Sequence, residues 1–200
     1  MKTIEQVLSI VPETTKENWH QHTNGTGWVY ETAHVHEAAY VGGDALVYGN
    51  AQVYGNALVY GNALVYGNAQ VYGNARVYGN ARVYDYARVY DYAQVYGTAQ
   101  VYGNALVYDY AQVYDNALVY GNARVNGDAL VYGTALVYGI MRSDGYCFVY
   151  VPCADGKKRV IVGCRYFTMP EALRHWKKTR GGTALGRETM KILAALKSLY

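Results

Sequence analysis

From residue 33 to residue 140 the chain repeats an apolar, variable, apolar, aromatic quartet followed by two small or polar residues, without one insertion. Alanine stands at 33, 39, 45 and every sixth position to 135, and valine at 35, 41, 47 and every sixth position to 137. The commonest unit is Ala-x-Val-Tyr-Gly-Asn, as in Ala51-Gln52-Val53-Tyr54-Gly55-Asn56. Alternate side chains of a strand face opposite sides, so Ala and Val share one surface while x and Tyr share the other. Gly-Asn then supplies two residues tolerant of left-handed backbone angles, which suits a sharp corner.

Gly-Asn also suits a two-residue hairpin turn. In an antiparallel meander, however, Tyr48 would pair with Ala51 and Val47 with Gln52. Each successive strand would flip, and neither face would be consistently apolar. Winding in one direction sends every Ala and Val to a single interior. The pattern predicts a mainly β chain, a single-stranded, three-sided parallel β-helix whose eighteen hexads make six coils. At about 4.8 Å per coil the rod is roughly 29 Å long.

The flanks read differently. Residues 1–26 are expected to form an N-terminal cap that opens on a short amphipathic helix. Thr3 caps that helix with Gln6, and Ile4, Val7, Leu8 and Val11 share one face. The β-helix is placed at 27–140 and a small α+β cap at 141–200. In that cap Cys147-Phe148-Val149 and Val160-Ile161-Val162 form a hairpin turned by Asp155-Gly156, with the cysteines as small core residues. Thr168 and Glu171 are a capping box for a helix to about Lys178. A second helix over 187–199 turns Ile192, Leu193, Leu196 and Leu199 inward.

Charge divides the chain. Residues 141–200 carry twelve Lys/Arg against four Asp/Glu, a balance of +8, while residues 1–140 carry six against eleven, a balance of −5. A partner can read that polarity. No run of eighteen apolar residues exists, and the start lacks the apolar core of a secretory signal. Three cysteines, all in the last quarter, suggest no disulfide framework. These features predict a cytoplasmic protein without a membrane partner.

The invariant Val with a small residue two before it resembles the hexapeptide-repeat left-handed β-helix superfamily, and left-handed winding is what that resemblance implies. A narrower resemblance covers nearly the whole chain. Bacteriophage and prophage VYGNA-repeat proteins of unassigned role share a lead-in like Asn24-Gly25-Thr26-Gly27-Trp28-Val29. They also share a tail like Gly163-Cys164-Arg165-Tyr166-Phe167-Thr168 and Thr179-Arg180-Gly181-Gly182-Thr183-Ala184-Leu185-Gly186. That resemblance implies a phage-borne protein directed at a host macromolecule, such as a defence component.

Residues eighteen apart stack, so three outer faces can be read. One carries Arg88 and Arg124 among Gln and Tyr, with His34 and His36 at its start; a second begins at Tyr40. The third is the most apolar: Leu46, Leu64, Leu118 and Leu136 beside Tyr48, Tyr66, Tyr84, Tyr102, Tyr120 and Tyr138. Stacked tyrosines stabilise a β surface at about 0.2–1 kcal/mol per pair, but the leucines ask for an interface. A homo-oligomer through this third face is the expectation, a dimer or trimer by analogy with the superfamily. At the corners Asp85-Tyr86, Asp91-Tyr92 and Asp109-Tyr110 replace Gly-Asn, either as residues tolerated in the same turn or as a local recognition patch.

Chemistry is sparse. Superfamily acyltransferases use a histidine on the helix and a loop projecting between coils; here coils two to six hold no histidine and no insertion. His20-x-His22 and His34-x-His36 are weak metal candidates, since alternate strand residues project to one side. No metal and no cofactor is expected. The run Arg174-His175-Trp176-Lys177-Lys178-Thr179-Arg180 interleaves basic residues with an aromatic, a pattern that holds phosphates or stacks a base. The leading reading is a non-enzymatic binding protein that uses its Tyr-rich faces, or Arg174, Trp176, Lys177, Lys178 and Arg180 with Arg88 and Arg124, to engage a macromolecule. The alternatives are a nucleic-acid or nucleotide binder through the basic cap, and a divergent acyltransferase.

Overall fold

The computed structural model describes residues 1–153 and 155–198. After α1 (Ile4–Ile10), β1 (Trp19–Gln21) and β2 (Trp28–Tyr30), the hexads contribute eighteen strands, from β3 (His34–Val35) to β20 (Leu136–Met141). Each of the first fifteen pairs in parallel with the strand eighteen residues on, as Leu46 with Leu64 and Val47 with Val65. The result is a parallel β-solenoid of about six turns with three sheets, one for each face. Every Ala and Val of the repeat from Ala39 to Val131 is 0 % exposed. A fully buried valine contributes roughly 1.5–3 kcal/mol, so this interior column dominates stability.

The corners need left-handed backbone. Their glycines lie at φ between 61° and 72°, and Asp85, Asp91, Asp109 and Asp115 take the same region at 57–59°. Aspartate is more than tolerated there. The Asp85, Asp109 and Asp115 carboxylates accept the backbone N–H of Gly103, Gly127 and Gly133 one coil further on, at 3.1–3.2 Å.

The N-terminal segment departs from a simple end cap. α1 has its Thr3–Gln6 capping box, and Val7 is buried as its amphipathic pattern requires. That face packs on the flank of the rod: Val7 and Val11 join Trp19 and Leu46 in one cluster, with Tyr48 and Leu64 against it. The Lys2 ammonium pins the segment across two coils through the Asp44 carbonyl and Asn62 Oδ1, both at 2.8 Å. Closure of the end falls to residues 19–27. β1 lies antiparallel on β2 over the third face, and Asn24 and Gly27 bond both ends of the Val41 peptide over the second.

At the other end β20 runs across the expected 140/141 boundary and carries the third-face sheet into the cap. There β21 (Cys147–Pro152) and β22 (Lys158–Val162) form the expected hairpin, joined by β23 (Arg165–Phe167), a strand not foreseen. Alternation sorts the hairpin. Cys147, Val149, Val151 and Ile161 plug the solenoid core, while Phe148, Val160 and Val162 face α2 (Met169–Arg180) and α3 (Ala184–Ser198). Glu171 accepts the Thr168 N–H at 2.8 Å, as the capping box predicts. Ile192, Leu193 and Leu196 are buried, and Leu199 lies outside the described residues. No helix among the described residues is long and apolar enough to cross a membrane.

Candidate functional site

Strand spacing brings equivalent tyrosines into register, and their rings stack. From Tyr54 to Tyr114 the paired centroids lie 4.8–4.9 Å apart at interplanar angles of 1–4°. On the third face Tyr48, Tyr66, Tyr84 and Tyr102 stack in the same way, and the ladder loosens to 5.4 Å at Tyr120 and Tyr138. Burial between neighbouring rings pushes the Tyr84 phenol up to about 12 and the Tyr66, Tyr72 and Tyr90 phenols up as well. Glutamines one coil further on fasten the hydroxyls: Tyr84 Oη donates to Gln100 Oε1 and Tyr96 Oη to Gln112 Oε1, each at 3.1 Å. The ladders therefore stabilise the rod directly.

The third face is not one continuous apolar strip. Leu46 is 0 % exposed, because α1 and Trp19 cover it, and Leu64 and Tyr48 are partly covered by the same cluster. That end of the expected interface is filled by the chain itself. Arg82 and Gln100 occupy the middle rungs. What stays open lies at the last coil, where Leu136 is 53 %, Tyr138 43 % and Tyr132, around the corner, 46 % exposed. Leu118 and Tyr120 adjoin them one coil earlier. A second aromatic feature sits on a corner: Tyr92 and Tyr110 stack at 5.3 Å and are both exposed.

The basic cap rearranges the expected set. Trp176 is buried, in edge contact with Phe167 and near Phe148, so most of its ring is core, and what remains lines the cleft beside Arg180. Arg174, Lys177 and Lys178 are exposed on α2, and Arg88 and Arg124 are exposed on the first face, two coils apart. Arg180 instead lines a cleft of about 340 Å³ with Arg142, Tyr146, Arg165, His175 and Thr179. Arg142 is spent there on structure. It grips Asp144 through both nitrogens at 2.7–2.8 Å and donates to Thr189 Oγ1 at 3.0 Å. Arg165 Nη1 lies 2.8 Å from His175 Nε2, and a guanidinium only donates, so that nitrogen is the unprotonated one. Burial, then the Arg165 charge, hold His175 below its usual range. Neither Arg165 nor Arg180 has a carboxylate within ion-pair distance among the described residues. The sequence run pointed to α2; it missed Arg142 and Arg165, which only the fold brings to Arg180.

The four candidate histidines separate. His22 is buried, with Nε2 3.0 Å from the Ala39 carbonyl, part of the seal over the second face. His20, His34 and His36 border an open groove of about 400 Å³ at the start of the first face. No group of three or more His, Cys, Asp or Glu among the described residues is placed to hold a metal ion. Cys147 and Cys153 are buried core thiols and Cys164 is exposed; none is paired.

Three stacked sheets of two-residue rungs around an Ala/Val interior define this chain as a β-solenoid repeat protein. The sequence profile described as the YdcK beta solenoid repeat matches it at residues 51–67, 59–73, 69–85, 75–91, 99–115, 111–125 and 119–133. Each match spans about one coil, and all lie inside the repeat rather than the caps. No curated protein and no solved structure matches the chain.

Proposed function

We propose that this chain is a non-enzymatic interaction protein, a stiff post that presents a recognition surface at its C-terminal end. One observation carries the reading: Leu136, Tyr138 and Tyr132 stand exposed together on the last coil, while equivalent apolar positions at the other end lie under α1. Exposed apolar residues gathered in one place mark binding surfaces, and tyrosine is among the residues that anchor them. The lead-in and tail motifs that resemble phage proteins make a macromolecule of the bacterial host, a defence component among the options, the partner class we propose. The cytoplasm is the compartment that goes with it. The test is affinity capture from bacterial host lysate with the wild type and with Leu136→Glu/Tyr138→Glu. A protein held by the first and lost by the second supports the reading; equal capture by both sinks it.

A second reading is favoured by the cleft. Arg165 and Arg180 line one cleft and neither forms an ion pair among the described residues, which suits a phosphate-bearing ligand such as a nucleotide or nucleic acid. Retention on heparin that collapses with modest salt, and is lost in Arg165→Ala/Arg180→Ala, supports this use of the cap. An acyltransferase finds no such support, and a thermal shift on adding acetyl-CoA would reopen it.

A further inference from the structure

Counting backbone hydrogen bonds at the N-terminal end of the rod singles out one strand. In every coil the variable and Tyr positions donate to the next coil, as His34 N–H to the Ala51 carbonyl and His36 N–H to the Val53 carbonyl, at 2.8–2.9 Å. The Val N–H, the Val C=O and the Ala C=O point the opposite way, toward the preceding coil. On the second face those three groups of the first rung are all met. Val41 N–H donates to Asn24 O, Val41 O accepts from Gly27 N–H, and Ala39 O contacts His22 Nε2. On the third face β1 performs the same service for β2. On the first face nothing does. β3 pairs only with the strand below it, and Val35 N–H, Val35 C=O and Ala33 C=O have no partner among the described residues. The groove bordered by Val29, Ala33, Val35, His20, His34 and His36 opens directly above them.

Solvent-exposed edges are usually blunted by Lys, Pro or a bulge, and Ala33-His34-Val35-His36 has none of these. At the opposite end the cap lies across the last coil: Cys147, Val149, Val151 and Ile161 pack on the solenoid core, with the Ala129–Cys153 bridge and a bond from Asn126 Nδ2 to the Gly163 carbonyl. The cap therefore stands in the way of head-to-tail stacking of copies. An edge residue whose N–H and C=O both point outward is self-complementary, because in antiparallel pairing two such residues exchange both bonds across a two-fold axis.

We infer that β3 is a dimerisation edge and that its occupant is β3 of a second copy, paired antiparallel about Val35. In that register Val35 faces its own symmetry mate, and His34 of each copy faces His36 of the other at a non-hydrogen-bonded position. The joint lets Val29, Ala33 and Val35 of the two copies close each other's open core. It is separate from the exposed patch on the last coil, which stays available at both outer ends.

Light scattering at about 0.1 mM, a concentration that fills any dimer of micromolar affinity, is the first measurement. The wild type is expected at twice the 22.2 kDa chain mass. His34→Lys/His36→Lys, which sets four ammoniums across the axis on already exposed positions, is expected to weaken the dimer at least about tenfold, a 1.4 kcal/mol change. Circular dichroism checks that this variant keeps its β signature. The second measurement needs no loss of function. In a Cys164→Ser background, mild oxidation of His34→Cys/His36→Cys should give a covalent dimer, since such cross-strand positions lie about 4.5 Å apart at Cα. Arg88→Cys, exposed in mid-rod, is the control and should stay monomeric on a non-reducing gel. A monomeric wild type, or cross-linking no faster than the control, overturns the inference. So does a dimer that Leu136→Glu/Tyr138→Glu disrupts and the lysine pair leaves intact, which would move self-association to the last coil.

Discussion

Replacing Gly79 with alanine tests whether the corners are set by backbone angle alone or also by the coil beneath. Gly79 sits at φ +71°, and a Cβ there would lie 3.1 Å from both the nitrogen and the oxygen of Gly97. An L-residue in the left-handed region costs roughly 1–2 kcal/mol. Crowding against a neighbouring coil that is bonded on both sides adds about 1–2 kcal/mol, within the range for overpacking. Stiffening the unfolded chain returns about 0.4–1 kcal/mol. The net is about 2 kcal/mol of destabilisation.

Two companions separate the contributions. Gly133 has φ +64° with nothing within 4 Å of its Cβ position, so Gly133→Ala should lose only about 1 kcal/mol, the backbone cost less the chain-entropy return. Gly79→Asp should recover about half of the alanine loss, because its carboxylate can accept the Gly97 N–H as Asp85 accepts that of Gly103. Such a bond contributes about 1 kcal/mol. Urea unfolding followed by circular dichroism gives the three differences from midpoints at constant slope. If Gly79→Ala is no worse than Gly133→Ala, or Gly79→Asp is worse than Gly79→Ala, coil stacking does not set these corners.

Three further outcomes follow from the same geometry. Tyr84 is held neutral up to about 12 in the fold and ionises nearer 10 when unfolded. Its contribution is therefore intact below pH 10 and is lost as pH rises toward 12; Tyr84→Phe should flatten that decline in urea midpoints measured at stepped pH. Val7→Asp puts a carboxylate at a 0 % exposed position, so α1 should detach while the rod stays folded. Red-shifted tryptophan emission from Trp19 and early proteolysis before residue 15 would report it, and unchanged resistance would contradict it. Asp144→Ala strands the Arg142 guanidinium, 4 % exposed, and should cost about 2 kcal/mol in unfolding of the C-terminal cap; a loss below the error of the urea curve would remove Arg142 from the cap's support.

The repeat was legible because one physical rule, alternation on a strand, operates eighteen times without interruption. The helix caps were legible for a similar reason. Thr3 with Gln6, and Thr168 with Glu171, act over three residues, and local chemistry is what a sequence displays. Contacts between distant parts were not. Nothing in Ile4–Ile10 says that its apolar face lies on Leu46 rather than on the open end, because both surfaces are apolar. For the same reason the third face read as one interface when its first rungs are internal. Trp176 was read with its basic neighbours in the chain, whereas Phe148 and Phe167, from other elements, decide its burial. The cleft around Arg165 and Arg180 joins β23 to the end of α2, a juxtaposition with no signature in spacing.

A nearly uniform interior carries a difficulty that the two caps resolve. One coil offers its neighbour the same Ala and Val at the same depth as any other, so a slip of eighteen residues would preserve every core contact. Neighbour interactions alone cannot select a register in such an array. Selection must come from positions that occur once. Leu46 is such a position, since Val7 and Trp19 bury that leucine fully and only flank Leu64 on the rung beyond. Gly139 is another by its surroundings: unlike the other corner glycines it leaves the left-handed region, and a Cβ there would meet the Cys147 sulfur of the cap at 2.5 Å and the Ala123 backbone at 2.7 Å. Asn126 is a third, buried where the other rungs of its face carry exposed or stacked side chains, and tied to Gly163 of the cap. The caps thus define the ends that the repeat cannot define for itself. Once they do, the uniform interior becomes an advantage, because the outer positions can change sign, size and aromaticity from coil to coil without disturbing the column they are mounted on.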